Sequence, residues 1–418
     1  MKKALILGSN PGSIEMIKYL KENKYYIIVS DYLPITKSPA KLIADEYWNI
    51  STLDIELLYQ NCKEKKVDAI LTGTGEQNID SAIKLTKKLG LPFYVTEECW
   101  KNTNNKIVFK QYCKIYDLPV PRDYTLDLPP KENDFPIIVK PADNCFNRGL
   151  TLCRDISEFE GACQIARDNS PENKIVIEKF IRGRQINAFY HMIGGKVQLS
   201  AITESLTNEG FPSCNYTVTL SRGDYTDLYL TLYDEKVKKM LKSLSCTNGT
   251  AILQGIACKQ QIYFLEINFR LDGLGFYNTL KDAYGIDAVK IIADISTSNK
   301  TNHEPVELEK NNSVLSCIYS LWTYKNCRIQ KISGIDNIEK TIKNIHIQCR
   351  CTEGMEVTAS REDGVLLFNL CFYDSNMETI VKDLKLINQM LYVYDEAGVD
   401  ILEKFNNYKQ INYERKHV

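Results

Sequence analysis

The chain has 418 residues, 44% hydrophobic and 25% charged, the make-up of an ordinary globular protein with two to four cores, which excludes long disorder. Lys and Arg number 52 against 53 Asp and Glu, so no global field draws nucleic acid or an anionic membrane. The 14 cysteines lack zinc or redox spacing, even at Cys349 and Cys351, and read as free thiols in a reducing compartment.

The apolar run at 4–7 stops at Gly8, short of a signal sequence, and no stretch reaches the ~20 apolar residues of a membrane span. A cytoplasmic protein is expected. Apolar runs at 4–7, 26–29, 69–72 and 93–95 predict strands, and the patterns at 14–21, 54–63 and 79–89 predict helices. Such alternation implies an α/β unit, a parallel sheet with helices on both faces. The turn Gly8-Ser-Asn-Pro-Gly12 after the first strand and Asp31 after the second resemble a dinucleotide-binding start. That signal is weak, because the third glycine is missing and Pro11 sits inside the turn.

A helix predicted at 106–116 ends at Leu118-Pro-Val-Pro121, where two prolines stop it. The polar segment 127–135 leads to a strand at 136–140, a polar loop at 142–149, a strand and hinge at 174–183, and a strand at 187–193. Residues 299–312 read as a linker, and 314–405 carry an α+β pattern.

Two places carry chemistry. In the segment 263–273 an apolar strand bears Glu266, Asn268 and Arg270 at every second position, hence on one face. A carboxylate, an amide and a guanidinium in a core strand need a partner. Mg²⁺ with a phosphate supplies one, since Glu and Asn are hard oxygen ligands and Arg binds a second oxyanion; a structural ion pair in a half-exposed strand is the plainer reading. Lys140 ends the strand before Pro141, where it either meets a phosphate or snorkels to water. Lys106 offers a second phosphate contact, against the usual reading of a solvated helical lysine. Arg148-Gly149 closes a loop able to fold over phosphates.

The order of these features resembles the ATP-grasp superfamily, in the carboxylate-amine ligase branch with carbamoyl phosphate synthetase, biotin carboxylase and the purine-pathway carboxylases. The matching motifs are Asn105-Lys106 before Pro119-Val-Pro121, the strand Ile137-Ile-Val-Lys-Pro141, the lid end Asn147-Arg-Gly149, the hinge Glu178-Lys-Phe-Ile-Arg-Gly183 and the strand Glu266-Ile-Asn-Phe-Arg270. They cover residues 1 to about 298.

The resemblance implies an α/β and α+β multidomain protein. A Rossmann-like pre-ATP-grasp domain would span 1–100, a two-lobed ATP-grasp domain 101–298 with a lid lobe at about 120–182, and a small α+β domain 299–418. It implies that Lys106 and Lys140 hold ATP phosphates, that Glu178 accepts from the adenine amino group or ribose, and that the backbone of Lys179 and Ile181 reads the adenine edge. Gln185 stands where Glu commonly binds ribose. Glu266 and Asn268 would bind two Mg²⁺ ions, with Mn²⁺ allowed in their place, and Gln254, twelve positions upstream of Glu266, would be the third ligand.

The implied reaction is ADP-forming ligation: a carboxylate takes the γ-phosphoryl of ATP, and an amine attacks the acyl phosphate. Arg270 would hold the carboxylate, with Lys140 and Arg148 at the phosphoryl group. Partners are then small carboxylates and amines, and a homodimer stays open. A bicarbonate-phosphorylating carboxylase or carbamoyl phosphate synthetase-like enzyme is the enzymatic alternative, disfavoured by the missing counterpart of the bicarbonate base. A regulatory ATP-binding module without turnover is the other, since Gln254, Gln185 and the glycine-poor lid Asn144-Cys-Phe-Asn147 depart from the pattern. The substrate pocket has no motif; Asn10, Glu76 and Arg222 are candidates for it.

Overall fold

The computed structural model describes residues 1–142, 149–208, 216–304, 306, 314–359 and 364–411. The chain forms two compact units, one of Met1–Leu199, Tyr225–Leu271 and Val289–Pro305, the other of Ser200–Asp224, Asp272–Ala288 and Val306–Val418.

The first unit opens with β1 (Lys3–Leu7), α1 (Pro11–Glu22), β2 (Tyr26–Ser30), α2 (Pro39–Leu42), β3 (Glu46–Trp48), α3 (Ile55–Lys65), β4 (Ala69–Thr72) and α4 (Glu76–Leu89). The strands form a parallel sheet in the order β3-β2-β1-β4, as the alternation predicts. Leu5, Leu7, Ile28 and Ile70 bury one face against Leu58, Ala82 and Leu85 of the helices.

Residues 93–95 correct the sequence reading, because they form no strand. Tyr94 and Val95 are buried, and the Tyr94 hydroxyl donates to the Phe269 carbonyl at 3.1 Å. A short apolar run marks burial, not a ladder. The turn after β1 and the acid after β2 are engaged within the protein. The Asp31 carboxylate accepts from Ser38 and the Leu33 amide and pairs with Lys41. Asn10 caps α1 through Ser13 and also accepts from the Thr74 amide at 3.0 Å. A side chain on Gly73 would strike Asn10 and Ser13, so the glycines here serve the close approach of two turns.

Next come α5 (Glu97–Asn104), α6 (Lys106–Ile115), β5 (Asp123–Tyr124), β6 (Ile137–Pro141), β7 (Thr151–Cys153), α7 (Phe159–Asp168) and β8 (Ile175–Lys179). The strands pair antiparallel in the order β5-β8-β6-β7, and Ile137, Val139 and Ile177 pack on Ala162 and Ala166 of α7. After β9 (Arg184–Ile193), β10 (Lys196–Leu206) runs on into the second unit, where β11 (Val218–Ser221) follows. The first unit resumes with α8 (Thr226–Leu232), α9 (Asp234–Ser243), β12 (Gly249–Cys258) and β13 (Gln261–Asn268). Here β12 lies antiparallel between β9 and β13.

The second unit holds α10 (Phe276–Tyr284), reached before α11 (Ala288–Ser298), and then β14 (Leu315–Thr323), β15 (Cys327–Ser333), α12 (Ile335–Thr341), β16 (Ile345–Cys349), β17 (Glu356–Val357), β18 (Val365–Asp374), α13 (Met377–Met390) and β19 (Tyr392–Asp395). Its strands run β11-β14-β18-β16 and β17-β15-β19. Cys317, Tyr319, Phe368, Leu370 and Phe372 pack against Ile380, Leu384 and Ile387 of α13. The α+β expectation for this stretch holds. Every described cysteine is a free thiol. Among the described residues no helix is long and apolar enough to cross a membrane.

Candidate active site

The site of the first unit is built on β9, β12 and β13. Cross-strand partners share a face, so the pairs Asn187↔Gln254 and Gln254↔Glu266 set a row of three polar side chains across the sheet. Asn268, two residues past Glu266, donates to Glu266 Oε1 at 3.3 Å. Gln185 donates to Asn187 at 3.1 Å and extends the row. Glu266 is its single carboxylate, and among the described residues no three His, Cys, Asp or Glu side chains gather as they would around a metal held by protein alone. One carboxylate among amides suits a cation that keeps phosphate and water ligands, the habit of Mg²⁺.

The strand expected to carry Arg270 ends earlier, at Asn268. Arg270 nonetheless stays beside the row, its Nη2 3.4 Å from Asn268 Oδ1. Its Nε and Nη2 also donate to Glu76 Oε1 at 3.3 and 3.1 Å, and Glu76 opens α4.

Lys106 starts α6, whose N-cap Asn105 accepts from the amides of Ile107 and Val108. The Lys106 ammonium is 3.6 Å from Glu266 Oε2, so the helix brings this lysine to the polar row.

A second cluster surrounds Glu178 on β8, whose side chain is 4% exposed. Lys140 on β6 donates to its Oε1 at 2.5 Å, and Lys110 on α6 to its Oε2 at 2.5 Å. Lys110 also reaches Asp123 Oδ1 at 2.5 Å, and Lys114 holds Asp123 Oδ2 at 3.0 Å. Lys140 therefore neither snorkels nor stands alone. Burial would raise the Glu178 carboxyl, but Lys140 and Lys110 outweigh it and hold the group below its ordinary value. Burial likewise opposes the charge on Lys110, and Glu178 and Asp123 outweigh it and raise that lysine.

The hinge leaves β8 at Lys179, whose amide donates to the Arg122 carbonyl at 2.9 Å and whose ammonium donates to the Asp134 carbonyl at 2.7 Å. Ile181 is half-buried in the connection to β9. At Gly183 a side chain would strike the Ala257 carbonyl, which explains the glycine. Arg148 and the lid residues 143–147 lie outside the described residues. Arg222 belongs to the second unit, at φ 55°.

The structure thus brings Lys106, Gln254, Glu266, Asn268 and Arg270 together on one side and Lys140 with Glu178 on another. Lys110 and Asn187 are absent from the sequence reading. Both leave a trace there: Lys110 shares the i, i+3, i+4, i+7 stripe with Lys106, Phe109 and Cys113, and Asn187 interrupts an apolar strand at the parity of Gln185.

Solved structures share the fold. The L-amino acid ligase from Bacillus licheniformis superposes with a TM-score of 0.77 at 16% identity, over 95% of this chain and 99% of that one. The biotin carboxylase domain of the Hydrogenobacter thermophilus 2-oxoglutarate carboxylase, with MgADP and bicarbonate, gives 0.75 at 16% identity, over 94% and 91%. N5-carboxyaminoimidazole ribonucleotide synthetase from Thermotoga maritima gives 0.68 at 16% identity, over 95% and 100%.

Fold and motif order together are similar to those of ATP-grasp proteins of the carboxylate-amine ligase branch. In sequence, the N-terminal section of the carbamoyl phosphate synthase large chain from Aquifex aeolicus is 26% identical over 207 residues, 44% of this chain and 37% of that protein. The arginine-specific large chain of Arabidopsis thaliana is 26% identical over 212 residues, 44% of this chain and 17% of that protein. The match therefore spans well under half the length of these curated relatives. No family model matches the chain.

Proposed function

We propose that this chain is an ADP-forming carboxylate-amine ligase: a substrate carboxylate attacks the γ-phosphorus of ATP, and an amine then displaces phosphate from the acyl phosphate to form an amide. The observation that carries the reading is the polar row Asn187, Gln254 and Glu266 across three adjacent strands, with Asn268 beside it and Lys106 3.6 Å from Glu266. A carboxylate and amides gathered at such positions leave oxygen lone pairs that their mutual bonds do not use up, and a cation satisfies them.

In this reading Glu266, Asn268 and Gln254 hold Mg²⁺, which would neutralise charge on the transferring phosphoryl group. Lys106 and Lys140 exchange their carboxylate partners for ATP phosphates. Glu178, the backbone at Lys179 and Ile181, and Gln185 take the adenosine end, and since the Lys179 amide already serves Arg122, the carbonyl of that residue remains for the adenine amino group. Arg270 leaves or shares Glu76 to clamp the substrate carboxylate, and Arg148 closes over the phosphates. The division into 1–100, 101–298 and 299–418 belongs to the same proposal.

The substrate class is a small organic acid joined to an amine. The full-length superposition on an L-amino acid ligase favours amino acids, while the carbamoyl phosphate synthase relatives favour bicarbonate as a second reading. Two measurements test the proposal. MgATP at 100 times its dissociation constant should stabilise the fold by about 2.7 kcal/mol, whereas NADH should not shift the melt. Coupled ADP release with pools of carboxylates and amines should yield, by mass spectrometry, a product one water lighter than the summed substrates. ADP release that needs bicarbonate and no organic acid would replace ligation by the second reading.

A further inference from the structure

The cluster holds three lysines against two carboxylates, in the order Lys140, Glu178, Lys110, Asp123, Lys114, buried at Lys140, Glu178 and Lys110 and opening to solvent at Asp123 and Lys114. Among the described residues Lys140 has one partner, Glu178, and is the end of the chain of contacts. Lys110 sits in the middle and touches both carboxylates.

This matters once Lys140 has another anion to serve. A buried carboxylate stripped of its sole cation is strongly unfavourable, so a lysine that must leave Glu178 for a phosphate would be trapped unless a second cation stays behind. Lys110 is that cation: its side chain is 5% exposed and its bond to Glu178 uses the oxygen that Lys140 does not.

We propose that Lys110 is a positioning residue that keeps Glu178 compensated while Lys140 transfers to the nucleotide, so that phosphate binding costs no naked buried charge. The inference rests on the nucleotide reading above, and binding is therefore the measured quantity, not turnover. Around Glu178 the charged groups are Lys110 and Lys114 of α6, Asp123 of β5 and Lys140 of β6.

Lys110→Gln keeps a hydrogen-bond donor and removes the charge. Calorimetric titration at pH 8 should show MgATP binding weakened by roughly 30-fold. The weakening should shrink as pH is lowered toward 6, because protonation of Glu178 in the variant frees Lys140, while the wild type stays flat over that range. Lys110→Arg, which restores the cation, should bind within about threefold of wild type. A role in folding alone would lower the melting temperature without this pH-dependent affinity. Should Lys110→Gln fail to fold, Asp123→Asn approaches from the other side, since it gives Lys110 wholly to Glu178 and should tighten MgATP by about threefold. Equal affinity of wild type and Lys110→Gln across the pH range, or weaker binding by Asp123→Asn, overturns the inference alone. Absence of MgATP binding by the wild type overturns the nucleotide reading and the inference with it.

Discussion

Glu178 and Glu266 lie in the same unit, yet the first is sealed between Lys110 and Lys140 while the second is half-buried among amides with one lysine 3.6 Å away. The first cluster satisfies itself. A buried charge network of this kind is costly to break from either side. The second leaves hard oxygen donors lined up with little internal compensation, the condition expected of a surface that meets a cation and a phosphate. The contrast separates a carboxylate whose loss damages the fold as well as the proposed nucleotide site from one whose loss damages chemistry with the fold intact.

The sharpest way to break this contrast is Glu266→Gln. It should lower turnover at least about a thousandfold, equivalent to ~4 kcal/mol, while urea unfolding changes by under about 0.5 kcal/mol. A large stability loss with turnover intact would reverse the two assignments.

Glu178→Ala comes next. It leaves Lys140 without a carboxylate while Lys110 keeps Asp123, so a stability loss of about 3–4 kcal/mol in urea is expected, toward the low end for breaking a buried pair. A loss under 1 kcal/mol would mean that water enters the cluster.

The smallest effect concerns His191, on β9 at the parity of Asn187 and fully buried. Burial, helped by His303, pushes its imidazole down to about 4. The unfolded chain takes up a proton near pH 6.5 that the native state refuses, so this stability is present above 6.5 and falls as pH drops toward 4, by about 2–3 kcal/mol. His191→Gln should flatten unfolding curves across that window. Glu178, held low in the fold, contributes stability that is lost only as pH falls below the ordinary carboxylate range, so the decline should continue in acid after the His191 contribution is gone.

Much of this arrangement was legible in the sequence where local order carried it. The alternation at 4–89 yields the parallel sheet, and the spacing of Lys140, Glu178 and Glu266 yields the ATP-grasp likeness. What escaped depends on distant contacts. Arg270 meets Glu76 across 194 positions, and a lysine inside a helix, such as Lys110, reads as solvated unless its stripe is compared with Phe109 and Cys113. Residues 93–95 failed for the converse reason, since burial by packing and burial in a ladder leave the same apolar run.

The register of β12 against β13 shifts between Gln254 and Gly255. Gln254 faces Glu266, while the neighbouring Gly255 faces Phe264, so Leu265 is a supernumerary residue. Phe264 and Glu266, two apart and ordinarily on one side, are thereby sent to opposite sides, the ring to Tyr229 and Tyr233 and the carboxylate to the polar row. In an alignment of relatives, a one-residue gap at 265 would leave the carboxylate opposite position 254 and would be silent for the site, whereas a gap between 266 and 268 would turn the amide away from it.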